Sequence, residues 1–288
     1  MVEKVQKILI TGSEGMLGQA ICAALKNKYR IYKSTLKSLD ITKKDLVFKK
    51  IKNFRPDFII HAAAYTDVDG CELNPKKAFL VNVKGTENIV DACKKYDIKL
   101  IFISTDYVFN GKKKSAYVET DIVCPLNIYG SSKFEAERII EQKLEKFYLI
   151  RTSWLYGKGG KNFVDTIIAK AKKEKTLSVV SDQIGAPTYA KDLAYAILRI
   201  LDFNIYAPYG IYNITNDGSC SWFEFAKEII KIKRIKAKVL PILSKDLTRP
   251  AKRPNMSLLD NSKFNKFCDL SSRPYKNALC DYIISKAH

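Results

Sequence analysis

The sequence predicts an α/β fold built on a doubly wound parallel sheet, and three observations carry that reading. Apolar runs of four to six residues recur along much of the chain. Stretches with helical periodicity separate them. The runs are continuous rather than alternating, as strands covered on both faces require.

Residues 5–11 (Val-Gln-Lys-Ile-Leu-Ile-Thr) form the first such run. A glycine-rich turn occupies 12–18, and the next stretch places Ala20, Ile21, Ala24 and Leu25 on one helical face. Residues 30–33 read as a short second strand, and 57–61, introduced by Pro56, as another. A helix covers about 75–95, and 100–104 is a further buried strand. The runs 149–152 and 177–180 have the same character. After about residue 205 the alternation weakens, and proline, aromatic and basic residues increase, as in Arg249-Pro250-Ala251-Lys252-Arg253-Pro254.

Composition bounds the function. Of the 288 residues 47% are apolar, which excludes a disordered chain. No apolar run approaches the ~18–20 residues of a membrane span, so no membrane association is expected. The charged start, 1–7, lacks the apolar stretch and small-residue site of a signal peptide, and the expected location is the cytoplasm. The seven cysteines include no Cys-x-x-Cys pair and only two histidines accompany them, so neither a disulfide framework nor a metal site is expected. The net charge of +20 fits either an anionic partner or a lysine-rich solvated surface. The lysines are spread over the whole chain without interleaved aromatics, which favours the solvated surface. A nucleotide-bearing substrate is the next explanation, and no nucleic-acid partner is expected.

The turn Thr11-Gly12-Ser13-Glu14-Gly15-Met16-Leu17-Gly18 reads Gly-x-x-Gly-x-x-Gly directly after a strand and at the head of a helix. Gly12 permits the tight turn, Gly15 lets the backbone approach a pyrophosphate, and Gly18 allows close packing of helix on strand. Free N–H groups and the helix dipole then hold the phosphate charge. The sheet is therefore expected to be of the Rossmann type. A dinucleotide-binding domain is expected over 1–150, with about 176–204 belonging to it. A smaller, mainly substrate-binding lobe is expected over 151–288, interleaved with the first. The second strand ends at Ser34 without the acid that would bind a ribose 2′-hydroxyl, and Lys33 and Lys37 lie nearby. This favours NADPH, with NADH left open. Asp40, followed by Ile41, either reaches an adenine amino group or caps a helix before Thr42.

Tyr129-Gly130-Ser131-Ser132-Lys133 is the most informative segment. A helix starting near Tyr129 puts Tyr129 and Lys133 on one face. Reduction of a ketone creates an alkoxide that needs a proton. A phenol with pKa near ~10 is a poor acid–base catalyst at neutral pH, and a neighbouring ammonium, with the positive charge of an oxidised nicotinamide, is expected to lower that value. Ser104 and Thr105 close the strand 100–104, where ligands of open α/β sheets bind, and a hydroxyl there can hold a substrate carbonyl.

Together with His61-Ala62-Ala63-Ala64-Tyr65-Thr66-Asp67-Val68-Asp69, Val81-Asn82-Val83-Lys84-Gly85-Thr86, Ser104-Thr105-Asp106-Tyr107-Val108-Phe109-Asn110-Gly111 and Arg253-Pro254-Asn255-Met256-Ser257-Leu258, these segments resemble the extended short-chain dehydrogenases, and among them the dTDP-4-dehydrorhamnose reductase family. The resemblance spans nearly the whole chain. It implies that Tyr129 donates a proton, that Lys133 assists and that Thr105 holds the sugar carbonyl. It implies sugar contacts for Val68, Asp106, Tyr107 and Trp154, and contact of Arg253 with the nucleotide phosphates. Gly15, Met16 and Leu17 match the pyrophosphate turn, Asp40 and Ile41 adenine contacts, and Ala62, Ala63, Ala64, Tyr65 and Thr66 the loop beside the cofactor. The implied substrate is a dTDP-linked keto-deoxysugar, reduced at C4, and the implied assembly a homodimer. His61 stands where these reductases usually carry Asn. Two rivals remain. A nucleotide-sugar dehydratase would carry Asp then Glu after the threonine, where this chain has Asp106 and Tyr107, and an epimerase would hold NAD permanently. A regulatory subunit of the methionine adenosyltransferase kind would bind NADP without turnover.

Overall fold

The computed structural model describes residues 5–202, 208–268 and 271–286. The change in character expected near residue 205 and the outermost ends of both expected domains lie outside them. The chain starts with β1 (Lys7–Thr11), α1 (Met16–Leu25), β2 (Arg30–Ser34), α2 (Lys44–Phe54) and β3 (Phe58–His61). Two short helices follow, α3 (Val68–Leu73) and α4 (Pro75–Phe79), then a π-helical turn over Leu80–Lys84 that runs into α5 (Gly85–Tyr96). Next come β4 (Lys99–Thr105), α6 (Ile128–Lys143) and β5 (Phe147–Thr152).

Six parallel strands make the central sheet: these five and a later one. β1 pairs with β2 on one side and β3 on the other, and β4 and β5 extend the sheet beyond β3. The direction of winding therefore reverses at β1, and the crevice at its carboxyl end is where such sheets bind ligands. Alternation along each strand sends side chains to both faces. Ile8, Ile10, Phe58 and Ile60 meet α1 on one face, while Leu9, Ile59, Leu100 and Phe102 meet α2, α5 and α6 on the other. Both faces are dry, which is why the strands read as continuous apolar runs.

The second half continues with β6 (Leu155–Tyr156), α7 (Phe163–Ala171), β7 (Thr176–Val180), β8 (Ile184–Gly185), β9 (Thr188–Tyr189) and α8 (Ala190–Asp202). It ends with β10 (Gly210–Asn213), β11 (Cys220–Ser221), α9 (Trp222–Lys233), β12 (Lys238–Ile242), α10 (Ser262–Cys268) and α11 (Tyr275–Ile284). Two strands differ from expectation. β7, the apolar run at 177–180, is not in the central sheet: it pairs with β12 and buries Leu177 and Val179 among α7, α9 and α11. The sixth strand of the central sheet is β10, which lies beside β5. α8 lines the sheet face with α1, through Leu193, Ile197 and Ile200. The helix expected over 75–95 is interrupted by the π-helical turn. Among the described residues no helix is long and apolar enough to cross a membrane.

Candidate active site

A cavity of about 770 Å³ runs along the carboxyl edge of the sheet, from the glycine turn to the start of α6. Its volume suits a small-molecule ligand. Gly12, Gly15, Met16, Leu17 and Gly18 form one end, with Asp40 and Ile41 beside them. Gly12 has φ +67°, and a Cβ on it would lie 2.8 Å from the Cα of Ala63. Gly18 packs so closely that its Cβ would overlap the Gly12 carbonyl oxygen and stand 2.7 Å from the Ser13 Cα. The turn is thus pressed onto the Ala62–Ala63 backbone that follows β3 and onto its own helix. Gly15 caps α1 without a side-chain hydrogen bond, so the first-turn N–H groups face the cavity as an anion site. Ser34 is buried behind the turn, its carbonyl accepting from Ser13 N at 3.0 Å, and Thr35 and Leu36 line the wall instead. Asp40 is not a helix cap. Its carboxylate accepts from Thr42 N at 2.9 Å and Thr42 Oγ1 at 2.7 Å, and the residue before α2 is Lys43.

The strip Ala62, Ala63, Ala64, Tyr65 and Thr66 follows β3 and lines the middle of the cavity. It is braced from the π-helical turn. Asn82 Oδ1 accepts from Tyr65 N at 2.7 Å, and its Nδ2 donates to Tyr65 O at 3.1 Å and to Ser132 Oγ at 2.9 Å. His61 lies beneath, fully buried. Thr86 Oγ1 donates to Asn82 O at 2.6 Å, so it accepts from His61 Nε2 at 3.0 Å. His61 Nδ1 therefore carries no proton and accepts from Thr11 Oγ1 at 2.7 Å. Burial, and then the charge of Lys133, lower the His61 pKa to about 3.

The other end holds Thr105, Asp106, Tyr107, Tyr129 and Lys133. α6 begins at Ile128 because Asn127 accepts from Gly130 N at 2.8 Å, while Glu72 of α3 accepts from Ile128 N at 3.0 Å. This double cap fixes Tyr129 in the first turn. Lys133 is 2% exposed. Its Nζ donates to Ile103 O at 2.7 Å and lies 4.0 Å from the Phe102 ring centroid. Burial lowers its pKa to about 7, opposed by Glu137. The Tyr129 phenol is held well above its ordinary value, first by burial and then by the charge of Asp106. Burial and the Asp106 charge thus act against the lowering expected of Lys133 together with an oxidised nicotinamide. Ser104 and Thr105 differ in what their hydroxyls bond. Ser104 Oγ is spent on Glu137 Oε1 at 2.5 Å, whereas Thr105 Oγ1 donates to Asp106 Oδ1 at 3.0 Å on the cavity side. Burial raises the Asp106 carboxyl to about 7.

A second chamber of about 390 Å³ opens from the first, sharing Val68, Tyr107 and Trp222 with it. Trp154 stacks on Trp222, centroids 3.5 Å apart and 6° from parallel. Trp154 has φ +47°, a strained conformation for a bulky residue. Its neighbours hold it there: Ser153 Oγ donates to Ala186 O at 2.6 Å, and a Cβ on Gly185 would lie 2.6 Å from the indole. Arg253 borders the second chamber only. Sequence reasoning missed Trp222, Arg249 and the buried pair Glu137–Arg151. The acid at Glu137, eight residues after Tyr129 on the same helical face, was the one available signal.

The RmlD substrate binding domain model matches residues 6–287. A dTDP-4-dehydrorhamnose reductase of Aggregatibacter actinomycetemcomitans is 39% identical over 285 residues, covering 95% of this chain and 97% of that one. A crystal structure of a dTDP-4-dehydrorhamnose reductase from Clostridium acetobutylicum superposes with a TM-score of 0.94 at 38% identity, covering 98% of this chain and all of that one. That of the Bacillus anthracis enzyme in complex with NADP gives 0.93 at 38% identity, covering 98% of this chain and all of that one. With a family model spanning nearly its full length and relatives matched end to end, the chain belongs to the RmlD substrate binding domain family, in the company of the dTDP-4-dehydrorhamnose reductases.

Proposed function

We propose that this protein reduces the 4-keto group of dTDP-4-dehydro-L-rhamnose to give dTDP-L-rhamnose, using NADPH, with NADH as the alternative donor. The observation that carries the reading is the joining of two chambers at Val68, Tyr107 and Trp222, beside Thr105 and Tyr129 of the first: one runs from the glycine turn to these residues, the other is bordered by arginines. The NADP bound by the Bacillus anthracis relative supports the choice of cofactor. The residues here fit that group. Gly12 and Gly18 close the turn tightly against neighbouring backbone, Gly15 leaves its own backbone open on the cavity side, and the α1 N–H groups carry no side-chain cap.

When bound along the glycine turn, the nicotinamide cofactor would supply the hydride that the sugar carbonyl carbon accepts. The protein positions the carbonyl oxygen between the Thr105 hydroxyl and the Tyr129 phenol. A phenol whose pKa is raised is protonated before reaction, so Tyr129 Oη is ready to donate as negative charge develops on that oxygen. Lys133 stabilises the phenolate that remains. Its pKa near 7 lets it release or recover a proton at neutral pH. Val68, Asp106, Tyr107 and Trp154 form the walls against the sugar, and Arg253 borders the nucleotide side.

The test follows NADPH absorbance, then NADH, with the 4-keto sugar generated in place. Substrate-dependent oxidation is expected, faster with NADPH. Tight NADPH binding without oxidation would overturn the reading in favour of a binding subunit or another keto sugar.

A further inference from the structure

Two guanidinium groups stand on the 249–254 segment, and their surroundings differ. Arg253 meets Asp69 of α3 fork to fork, Nη1 to Oδ1 at 2.9 Å and Nη2 to Oδ2 at 2.8 Å. Its Nη1 also donates to Ala251 O at 2.7 Å, and Asp69 accepts from Ala251 N at 3.2 Å. The Arg253 side chain is only 10% exposed. Its charge is cancelled on the spot and three of its donor bonds are committed, so it fastens the segment to α3.

Arg249 lines the same chamber. Among the described residues it makes no salt bridge; loss of water and the neighbouring Arg253 work against its charge, and Asp69, whose oxygens are already bonded to Arg253, offsets this only in part. The lining holds one carboxylate, Glu174, and three cations, Lys170, Arg249 and Arg253. Asp69 neutralises Arg253 and Glu174 offsets one more, which leaves a single uncompensated positive charge. The chamber is reached from Tyr129 past Val68, Tyr107 and Trp222. A ligand with its carbonyl at Tyr129 therefore carries its far, anionic part toward Arg249.

We propose that Arg249, rather than Arg253, supplies the charge that holds the diphosphate of a nucleoside-diphosphate sugar, and so sets the preference for a diphosphate over an unphosphorylated sugar. This rests on the function proposed above. An uncompensated guanidinium that loses its water shell regains it as a charge-assisted, bidentate contact with phosphate oxygens, whereas Arg253 would first have to abandon Asp69.

The experiment is calorimetric titration of dTDP into wild type, Arg249→Gln and Arg249→Lys, with NADPH titrated in parallel. Expected is a dTDP affinity weaker by about ten- to a hundredfold in Arg249→Gln, an intermediate loss in Arg249→Lys, and unchanged NADPH affinity. With the keto sugar the loss falls on KM and not on kcat, as for a contact made equally in ground and transition states. Arg249→Gln binding dTDP like wild type would overturn the assignment, as would an equal loss of NADPH affinity. A wild-type protein that binds NADPH but no dTDP would overturn the substrate reading itself, and this inference with it.

Discussion

Glu137 offers the sharpest test of how the site is held. It lies on α6 one turn beyond Lys133 and is fully buried. Its carboxylate accepts from Arg151 Nη2 at 2.7 Å, Arg151 Nε at 3.2 Å and Ser104 Oγ at 2.5 Å. Without it, the Arg151 guanidinium, 2% exposed, keeps the Glu119 carbonyl at 3.1 Å, the Phe109 ring at 5.1 Å and the more distant charge of Glu141, with no carboxylate bonded to it. Removing one partner of a buried ion pair costs about 3–5 kcal/mol, because the other charge is left uncompensated. Glu137→Gln, whose amide oxygen still accepts, falls at the low end, and Glu137→Ala at the high end. The thermal midpoint should drop on the order of 10 °C. The double variant Glu137→Met/Arg151→Met should lose far less than the sum of its singles, since it buries no lone charge. A second readout separates the site from general stability. Glu137 is the opposite charge that supports the Lys133 ammonium against burial. Its loss lowers the Lys133 pKa further below about 7, so the alkaline limb of the kcat/KM profile moves to lower pH. Urea titrations and a pH–rate profile supply both numbers. A destabilisation below about 1 kcal/mol, of the size typical for exposed pairs, with an unmoved alkaline limb, would refute the reasoning.

Tyr129→Phe should bind NADPH as wild type does and lose roughly 10²–10⁴-fold in kcat, measured by single-turnover NADPH oxidation; turnover near wild type would remove Tyr129 as the acid. Gly18→Ala forces a methyl group into the Gly12 carbonyl, and should weaken NADPH binding more than about tenfold by fluorescence titration. An unchanged affinity would show that the turn can shift at no cost. His61 is held neutral, its pKa lowered from 6.5 to about 3, so the unfolded chain takes up a proton that the folded one refuses. Stability from this group is complete above about pH 6.5 and falls by about 1.4 kcal/mol per pH unit below it. His61→Asn should flatten the fall in urea midpoint between about pH 7 and pH 5; equal slopes in the two proteins would assign the acid sensitivity elsewhere.

Much of this protein is local and therefore readable in one dimension. β1, β3, β4 and β5 are visible because a strand buried on both faces is apolar along most of its length; β2, at the sheet edge with Arg30 and Lys33 exposed, is the weaker signal. The glycine turn is visible because backbone approach and a positive φ demand glycine at Gly12 whatever the rest of the chain does. The Tyr129–Lys133 spacing is visible because a helix alone puts those two residues on one face.

What depends on partners distant in the chain was not readable. The run 177–180 is as apolar as its neighbours, yet it pairs with β12, and the less apolar Gly210–Asn213 takes the sixth place in the sheet. Nothing in the local pattern ranks one above the other, because pairing is decided by which edges meet. The π-helical turn that aims Asn82 at Tyr65 is hidden inside an ordinary helical periodicity. Charge was the least readable of all. Asp69 takes Arg253 out of play across the chain, and Glu137 takes Arg151. Burial and the Asp106 charge raise the Tyr129 phenol, against the lowering expected of the neighbouring lysine. Which groups line the site follows from local motifs. Which of them keep their water, and which charges are already answered, follows from folding, because ionisation energies depend on burial and on the nearest opposite charge, and neither is a property of sequence spacing.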